Sequence, residues 1–253
     1  MSESSRLEYL SALGIGTWHL RGSRAPVIAT ATATATPTTV MQPTTEAIVA
    51  PAATGSPVRA EDVAAMDWKQ LRSCVAGCAR CVLHETRTQT VFGVGDPSAH
   101  WLFVGEAPGA EEDRRGEPFV GRAGQLLNSM LLALGLTREQ VFIANVLKCR
   151  PPGNRDPRPE EARSCADYLN RQIALIGPKI MVAVGRIAAQ NLLGSDAPLG
   201  KMRQQVHAFG PEKVPLIVTY HPAYLLRSPG EKRKAWEDLK FAKRVMERGS
   251  SQS

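Results

Sequence analysis

The chain has 253 residues, enough for one or two domains, and a formal charge of +7 with a pI near 9.4, which permits a polyanionic partner without requiring one. No apolar run approaches the roughly 18 residues of a membrane span, and the opening Met1-Ser2-Glu3-Ser4-Ser5 lacks the basic segment and apolar core of a secretory signal. A cytoplasmic protein without membrane contact is expected.

Residues 6–22 carry Leu7, Leu10, Leu13, Ile15, Trp18 and Leu20, an apolar island that Gly14 and Gly16 would cut short as a helix. Tyr9-Leu10-Ser11-Ala12-Leu13-Gly14-Ile15-Gly16-Thr17-Trp18-His19-Leu20-Arg21 resembles the N-terminal peptide of bacterial clamp-loader psi subunits, so a replisome clamp-loader contact through residues 6–22 is an implied partner. Residues 1–24 are accordingly read as a short docking peptide. Residues 25–60, rich in Ala, Thr and Pro, cannot offset their ordering entropy by burial and read as a disordered linker. The globular part is expected over 61–248, with a tail at 249–253. A monomer is expected.

Within that part, 62–77 reads as a helix, 100–104 as a strand, 121–134 as a helix with Leu126, Leu127, Met130, Leu131 and Leu134 on one face, and 141–145 as a second strand. A Pro/Gly/Arg-rich loop leads to a helix at 159–176. A strand at 180–184, a helix at 186–193, an irregular or hairpin-like stretch at 194–213, a strand at 216–219 and a charged helix at 231–247 complete the reading. Strands alternating with helices predict an α/β fold, a mainly parallel four-stranded sheet covered on both faces.

Three predicted strand ends carry unusual residues. After Trp101-Leu102-Phe103-Val104 come Gly105-Glu106-Ala107-Pro108-Gly109-Ala110-Glu111-Glu112-Asp113, a tight glycine-rich turn with three notable carboxylates, Glu106, Glu112 and Asp113. The others are Asn145-Val146-Leu147-Lys148-Cys149-Arg150 and His221-Pro222-Ala223-Tyr224-Leu225-Leu226-Arg227. In open α/β sheets, loops at the carboxyl ends of strands line the ligand crevice.

The five cysteines are Cys74, Cys78, Cys81, Cys149 and Cys165. In a reducing compartment such spacing points to metal or redox chemistry rather than disulfides. Cys78 and Cys81 form a close pair, and with Cys149 and Cys165 they suit a tetrathiolate site; ligand type alone leaves Zn²⁺ and an iron–sulfur cluster both open. Cys74 would complete the C-x3-C-x2-C spacing of radical S-adenosylmethionine enzymes, but the strands are too few for their barrel, and it reads as a buried thiol.

Taken together, these motifs resemble the family 4 uracil-DNA glycosylases, the bacterial and archaeal iron–sulfur type, over about residues 68–243. The resemblance also rests on Arg87-Thr88-Gln89-Thr90-Val91-Phe92-Gly93-Val94-Gly95 and Gly116-Glu117-Pro118-Phe119-Val120-Gly121-Arg122-Ala123-Gly124. Family 5 lacks an acid at the position of Glu106. The covalent DNA-trapping variant has Gln at the position of Ala107 and an inserted loop ending in a nucleophilic His, which Arg227-Ser228-Pro229-Gly230 does not match.

The resemblance implies a three-layer α/β/α sandwich and a structural [4Fe–4S] cluster on Cys78, Cys81, Cys149 and Cys165. It implies uracil-containing DNA as substrate and hydrolysis of the glycosidic bond after base flipping; no lysine is positioned in these motifs as a lyase nucleophile, so no strand cleavage is expected. Phe119 would stack the base, Asn145 read its edge, Ala107 complete the pocket floor, His221 stabilise the leaving base, and Glu106 serve the water, with Glu112 the weaker catalytic candidate, positioning the loop or the water. Leu225, Leu226 and Arg227 would enter the duplex. Arg150, Arg155, Lys201, Arg203, Lys232, Arg233 and Lys234 are candidate phosphate contacts. Two other classes stand beside this reading: an idle iron–sulfur nucleic-acid-binding module, against which the intact Glu106, Asn145 and His221 set argues, and a zinc-site structural protein.

Overall fold

The computed structural model describes residues 60–250. The expected docking peptide 1–24 with its clamp-loader stretch 6–22, the linker up to its last residue, and residues 251–253 lie outside the described residues.

The apolar runs form the strands. β1 (Val94–Gly95), β2 (Trp101–Gly105), β3 (Phe142–Asn145), β4 (Ile180–Val184), β5 (His207–Phe209) and β6 (Val214–Thr219) make one sheet in the order β1-β3-β2-β4-β6-β5. The expected four-stranded sheet is therefore corrected to six strands. Its four central strands are parallel, as expected, and an antiparallel strand is added at each edge. The added strands are two and three residues long, too short to leave a periodic signal. β5 lies within 194–213, the stretch that reads as irregular or hairpin-like, and pairs with β6 just beyond it as a hairpin.

β2, β3 and β4 are buried at every position, so they read as continuous rather than alternating apolar runs. Alternate residues nevertheless serve opposite faces. Leu102, Val104, Ala144, Met181, Ala183 and Val218 meet one layer of helices, Pro159–Ile176 and Arg186–Leu193. Phe103, Ile143, Val182, Val184 and Ile217 meet the other, Arg122–Leu134 and Lys232–Ser250. This is the three-layer arrangement expected.

In chain order the helices are α1 (Ala60–Ala65), α2 (Trp68–Ala76), α3 (Ala110–Arg115), α4 (Arg122–Leu134), α5 (Pro159–Ile176), α6 (Arg186–Leu193), α7 (Leu199–Met202), α8 (Pro222–Arg227) and α9 (Lys232–Ser250). The single helix expected over 62–77 is two. Asp67 accepts from the Gln70 amide at 2.8 Å while Gln70 Oε1 accepts from the Asp67 amide at 2.9 Å, a capping box that starts α2 afresh. α9 runs two residues into the expected tail. No helix among the described residues is long and apolar enough to cross a membrane.

Because β3, β2, β4 and β6 are parallel, their carboxyl ends share one edge of the sheet. The chain steps from β2 to β3 on one side and then to β4 on the other, so a crevice opens at that edge.

Candidate active site

Glu106, Asn145 and His221 each sit at the carboxyl end of a central strand and line one cavity of about 410 Å³ with Ala107, Phe119 and Tyr224. Two larger grooves, about 840 Å³ each, lie between α5 and α6 and at the opposite edge of the sheet, and hold none of these residues. Chemistry rather than volume singles out the smaller one.

Gly105 makes the cavity possible. It pairs in register with Asn145, and a Cβ there would stand 2.5 Å from Asn145 Oδ1 and 2.6 Å from Phe119 Cζ. Asn145 is 2% exposed, and its Oδ1 is buried without a hydrogen-bond partner. A buried acceptor left open costs stability unless something fills it. Its backbone is pinned: Val146 donates to Gly105 O at 2.9 Å, and the buried Lys148 Nζ donates to Asn145 O at 2.8 Å and to Gln172 Oε1 at 2.7 Å. Burial lowers the Lys148 pKa to about 8.

Phe119 adopts φ 54°, unusual for a bulky residue. Arg138 holds the turn by donating to the carbonyls of Phe119 and Pro118, and Gly124 leaves room for it, since a Cβ there would fall 1.7 Å from Phe119 O. The strained turn lays the Phe119 ring 5.5 Å from the His221 ring, tilted by 31°.

The tautomer of His221 follows from one contact. Its Nδ1 accepts from the Ala223 amide at 3.1 Å, and an amide can only donate. Nδ1 therefore carries the lone pair, and the neutral ring has its proton on Nε2. Burial, aided by the Arg227 charge, lowers the pKa to about 4, so the ring is neutral near pH 7. Gly185 gives it space, a Cβ there being 2.9 Å from His221 Cβ.

Glu106 behaves oppositely. Burial first, then the neighbouring Asp156 charge, raises its pKa to about 7, against a smaller opposing pull from Arg186. Asp156 pairs with Arg186 at 3.0 Å. Sequence reasoning missed Asp156, although its place in the Pro/Gly/Arg-rich loop beside Asn145 was a usable signal.

One expectation is narrowed here and one changes. Glu112, expected as the weaker catalytic candidate that positions either the loop or the water, accepts from the amides of Gly109, Val120 and Gly121 at 3.0–3.1 Å. With both oxygens so engaged it shapes the loop rather than serving as a free base. Leu225, expected to enter the duplex, is 1% exposed. It lies on the inward face of α8 and packs in the core between the sheet and α4, with Leu226 partly buried against the same core. Tyr224 and Arg227 are the exposed members of that segment.

Two of the expected phosphate contacts are also committed elsewhere. Arg155 forms a two-pronged pair with the buried Glu161, and Arg203 forms one with Asp238, which is fully buried. Lys201 is exposed.

The cysteines approach one another from three parts of the chain. Cys78 and Cys81 follow α2, Cys149 follows β3, and Cys165 lies on α5. Cys149 and Cys165 are each 3% exposed. Burial raises the thiol pKa of Cys81 and of Cys149, and that of Cys165 to about 12; Cys149 is influenced by Cys81 and Cys78, and Cys165 by Cys149 and Cys81. Two donors already point at sulfur: Arg87 Nη1 at 3.1 Å from Cys149 Sγ and the Arg80 amide at 3.5 Å from Cys78 Sγ. Cys74 contacts the Tyr168 hydroxyl at 3.8 Å in a separate small core. Among the described residues, no three His, Cys, Asp or Glu side chains are grouped to hold a single metal ion.

Residues 92–240 match the sequence model of the uracil DNA glycosylase superfamily. The chain is 47% identical over 173 residues to a type-4 uracil-DNA glycosylase of Archaeoglobus fulgidus, an alignment that takes in 66% of this chain and 86% of that protein. With the type-4 uracil-DNA glycosylase of Thermotoga maritima it shares 44% over 173 residues, 67% of this chain and 89% of the relative. A type-5 uracil-DNA glycosylase of Thermus thermophilus is 37% identical over only 134 residues, 47% of this chain and 59% of its own length. A sheet edge that gathers an unpartnered amide oxygen, a buried aromatic and a neutral imidazole thus coincides with long, high-identity matches to type-4 enzymes, and the chain belongs to the uracil DNA glycosylase superfamily, in its type-4 branch.

Proposed function

We propose that the chain is a DNA repair hydrolase that removes uracil from DNA and leaves an abasic site, working in the cytoplasm as a monomer. The observation that carries this reading is Asn145, whose buried Oδ1 has no hydrogen-bond partner and which lines a cavity that a flat base can enter.

The uracil leaves the stack and lies against Phe119. Its N3–H donates to Asn145 Oδ1 and its O4 accepts from Asn145 Nδ2. Cytosine has a lone pair at N3 and an amine at C4, so both contacts would oppose it. The Ala107 backbone closes the pocket floor. As the bond from the sugar carbon to N1 breaks, negative charge grows on uracil O2, and His221 Nε2–H donates to it without giving up its proton. Glu106, ionised, takes a proton from the water whose oxygen bonds to the sugar carbon. Glu112 holds the loop that presents Glu106. Lys148, buried and hydrogen-bonded, is not placed as a lyase nucleophile, so the strand stays intact.

Cys78, Cys81, Cys149 and Cys165 would hold a [4Fe–4S] cluster, which suits a four-thiol set. Thiols whose ionisation is disfavoured by burial need a cationic centre to become thiolates, and Arg87 and Arg80 direct N–H groups at two of the sulfurs. When bound, the cluster supplies a structural cross-link.

Uracil release from a single-uracil oligonucleotide, with protein purified without oxygen, tests the reading. The wild type should release uracil, while Asn145→Ala and His221→Ala should each be slowed at least about a hundredfold. No release by cluster-replete wild type would leave only a nucleic-acid-binding module.

A further inference from the structure

At the mouth of the cavity the exposed Tyr224 stacks on Tyr220, with ring centroids 5.4 Å apart and planes 13° from parallel. Tyr224 is 37% exposed. Tyr220 in turn lies under the Arg203 guanidinium, 4.6 Å from its ring centroid. Arg203 is fixed by Asp238 through contacts of 2.7 and 2.9 Å and by Lys234 O at 2.9 Å. Asp238 also accepts from Gln204 at 2.6 Å and Thr219 at 3.0 Å. The exposed ring thus ends a column rooted in a fully buried carboxylate. A surface tyrosine with no task has no need of such a foundation; a platform that must hold a ring in one plane gains from it, because less freedom is lost on binding.

Resting on the glycosylase reading above, we propose that Tyr224 is a second stacking subsite, taking the base next to the flipped uracil in the DNA strand. Phe119 receives the target base inside, and Tyr224 receives its neighbour at the rim. Arg227, one helical turn along α8, is exposed on the same segment and available to the intervening phosphate. The subsite carries no preference for which base is stacked, since every base offers a flat face. It also replaces the contribution expected from Leu225, which faces the core.

The test uses an oligonucleotide with 2′-fluoro-deoxyuridine, which resists cleavage, and the fluorescent base 2-aminopurine next to it on either side. If the neighbour merely unstacks when uracil flips, its fluorescence rises; if it moves onto an aromatic ring, it stays quenched. Wild type and Tyr224→Phe should keep it quenched, whereas Tyr224→Ala should let it brighten and weaken binding roughly tenfold. A 2-aminopurine placed several bases away should respond alike in all three. Equal fluorescence and equal affinity for wild type and Tyr224→Ala would overturn the subsite, provided wild type still releases uracil from the cleavable oligonucleotide. Absence of that release would instead overturn the glycosylase reading beneath it.

Discussion

At the scale of single residues, the site is built from two titrations pushed apart. His221 falls to about 4 and Glu106 rises to about 7, both chiefly through burial. The first keeps a neutral donor across the working range, so the acid limb of activity belongs to Glu106, which must be ionised to accept a proton. The rate of uracil release should therefore climb with pH through about 7, and Glu106→Gln should lose both the activity and that limb. Stability runs the other way. The folded carboxyl holds its proton up to about 7, against an ordinary value of 4.5. Its favourable contribution is thus complete below 4.5 and is lost as pH rises through 7. Glu106→Gln should then melt higher than wild type at pH 8 and no higher at pH 4. A variant less stable than wild type at pH 8 would mean that the ionised carboxylate is well accommodated and the raised pKa is wrong. A sequence shows that a Glu follows a Gly at a strand end; it does not show how much water the fold leaves around it.

At the scale of elements, legibility tracked the length of the apolar run. The central strands and α4, α5 and α6 could be read nearly to the residue, because each needs a sustained pattern to cover a sheet face. β1 and β5 could not, being short edge pairings decided by their neighbours. The loop-holding half of the Glu112 expectation is met, but its partners are not legible: Val120 and Gly121 meet it through the turn around Phe119, which no periodicity encodes. Leu225 departs from its expected place because the Pro222–Arg227 segment is a helix, and one turn of helix sends neighbouring leucines in different directions. The Phe119 turn also makes a prediction. Gly124→Ala would bring a Cβ to 1.7 Å from Phe119 O, so the strained φ of 54° must relax or the start of α4 must shift. Either moves the stacking ring, and a misplacement of about 1 Å can cost on the order of a hundredfold in rate. Gly124→Ala should lose uracil release by at least that factor while circular dichroism shows the helices retained. Gly135→Ala, with no atom within 4 Å of its Cβ but a φ of 82°, should cost a little stability and leave the rate unchanged. Equal loss in both variants would mean that general destabilisation, not the Phe119 geometry, sets the rate.

At the scale of the whole molecule, the two large cores on either side of the sheet contrast with a small one under α1 and α2, formed by Val63, Leu71, Val75, Phe92 and Tyr168. The proposed cluster would join α2 to the loop after β3 and to the middle of α5, stapling the weaker core to the stronger pair. The Cys81-to-Cys149 loop spans on the order of 70 residues, for which a cross-link contributes about 4 kcal/mol by loop-closure entropy. For a domain of this size that corresponds to a melting shift of about 10 °C. Removing the cluster with ferricyanide and a chelator should therefore lower the melting temperature by about that amount. Hydrogen exchange should quicken in α1, α2 and the loop after β3 before it quickens in β2, β4 and β6, which rest on the large cores. Uracil release should be lost with the sheet still folded, because the same loop carries Lys148, whose ammonium holds the Asn145 carbonyl in place. Exchange that quickens evenly across the sheet would show that the cluster supports the main cores directly. An unchanged melting temperature, with cluster loss verified by the disappearance of visible absorption, would remove the staple altogether and leave the four cysteines as packing residues.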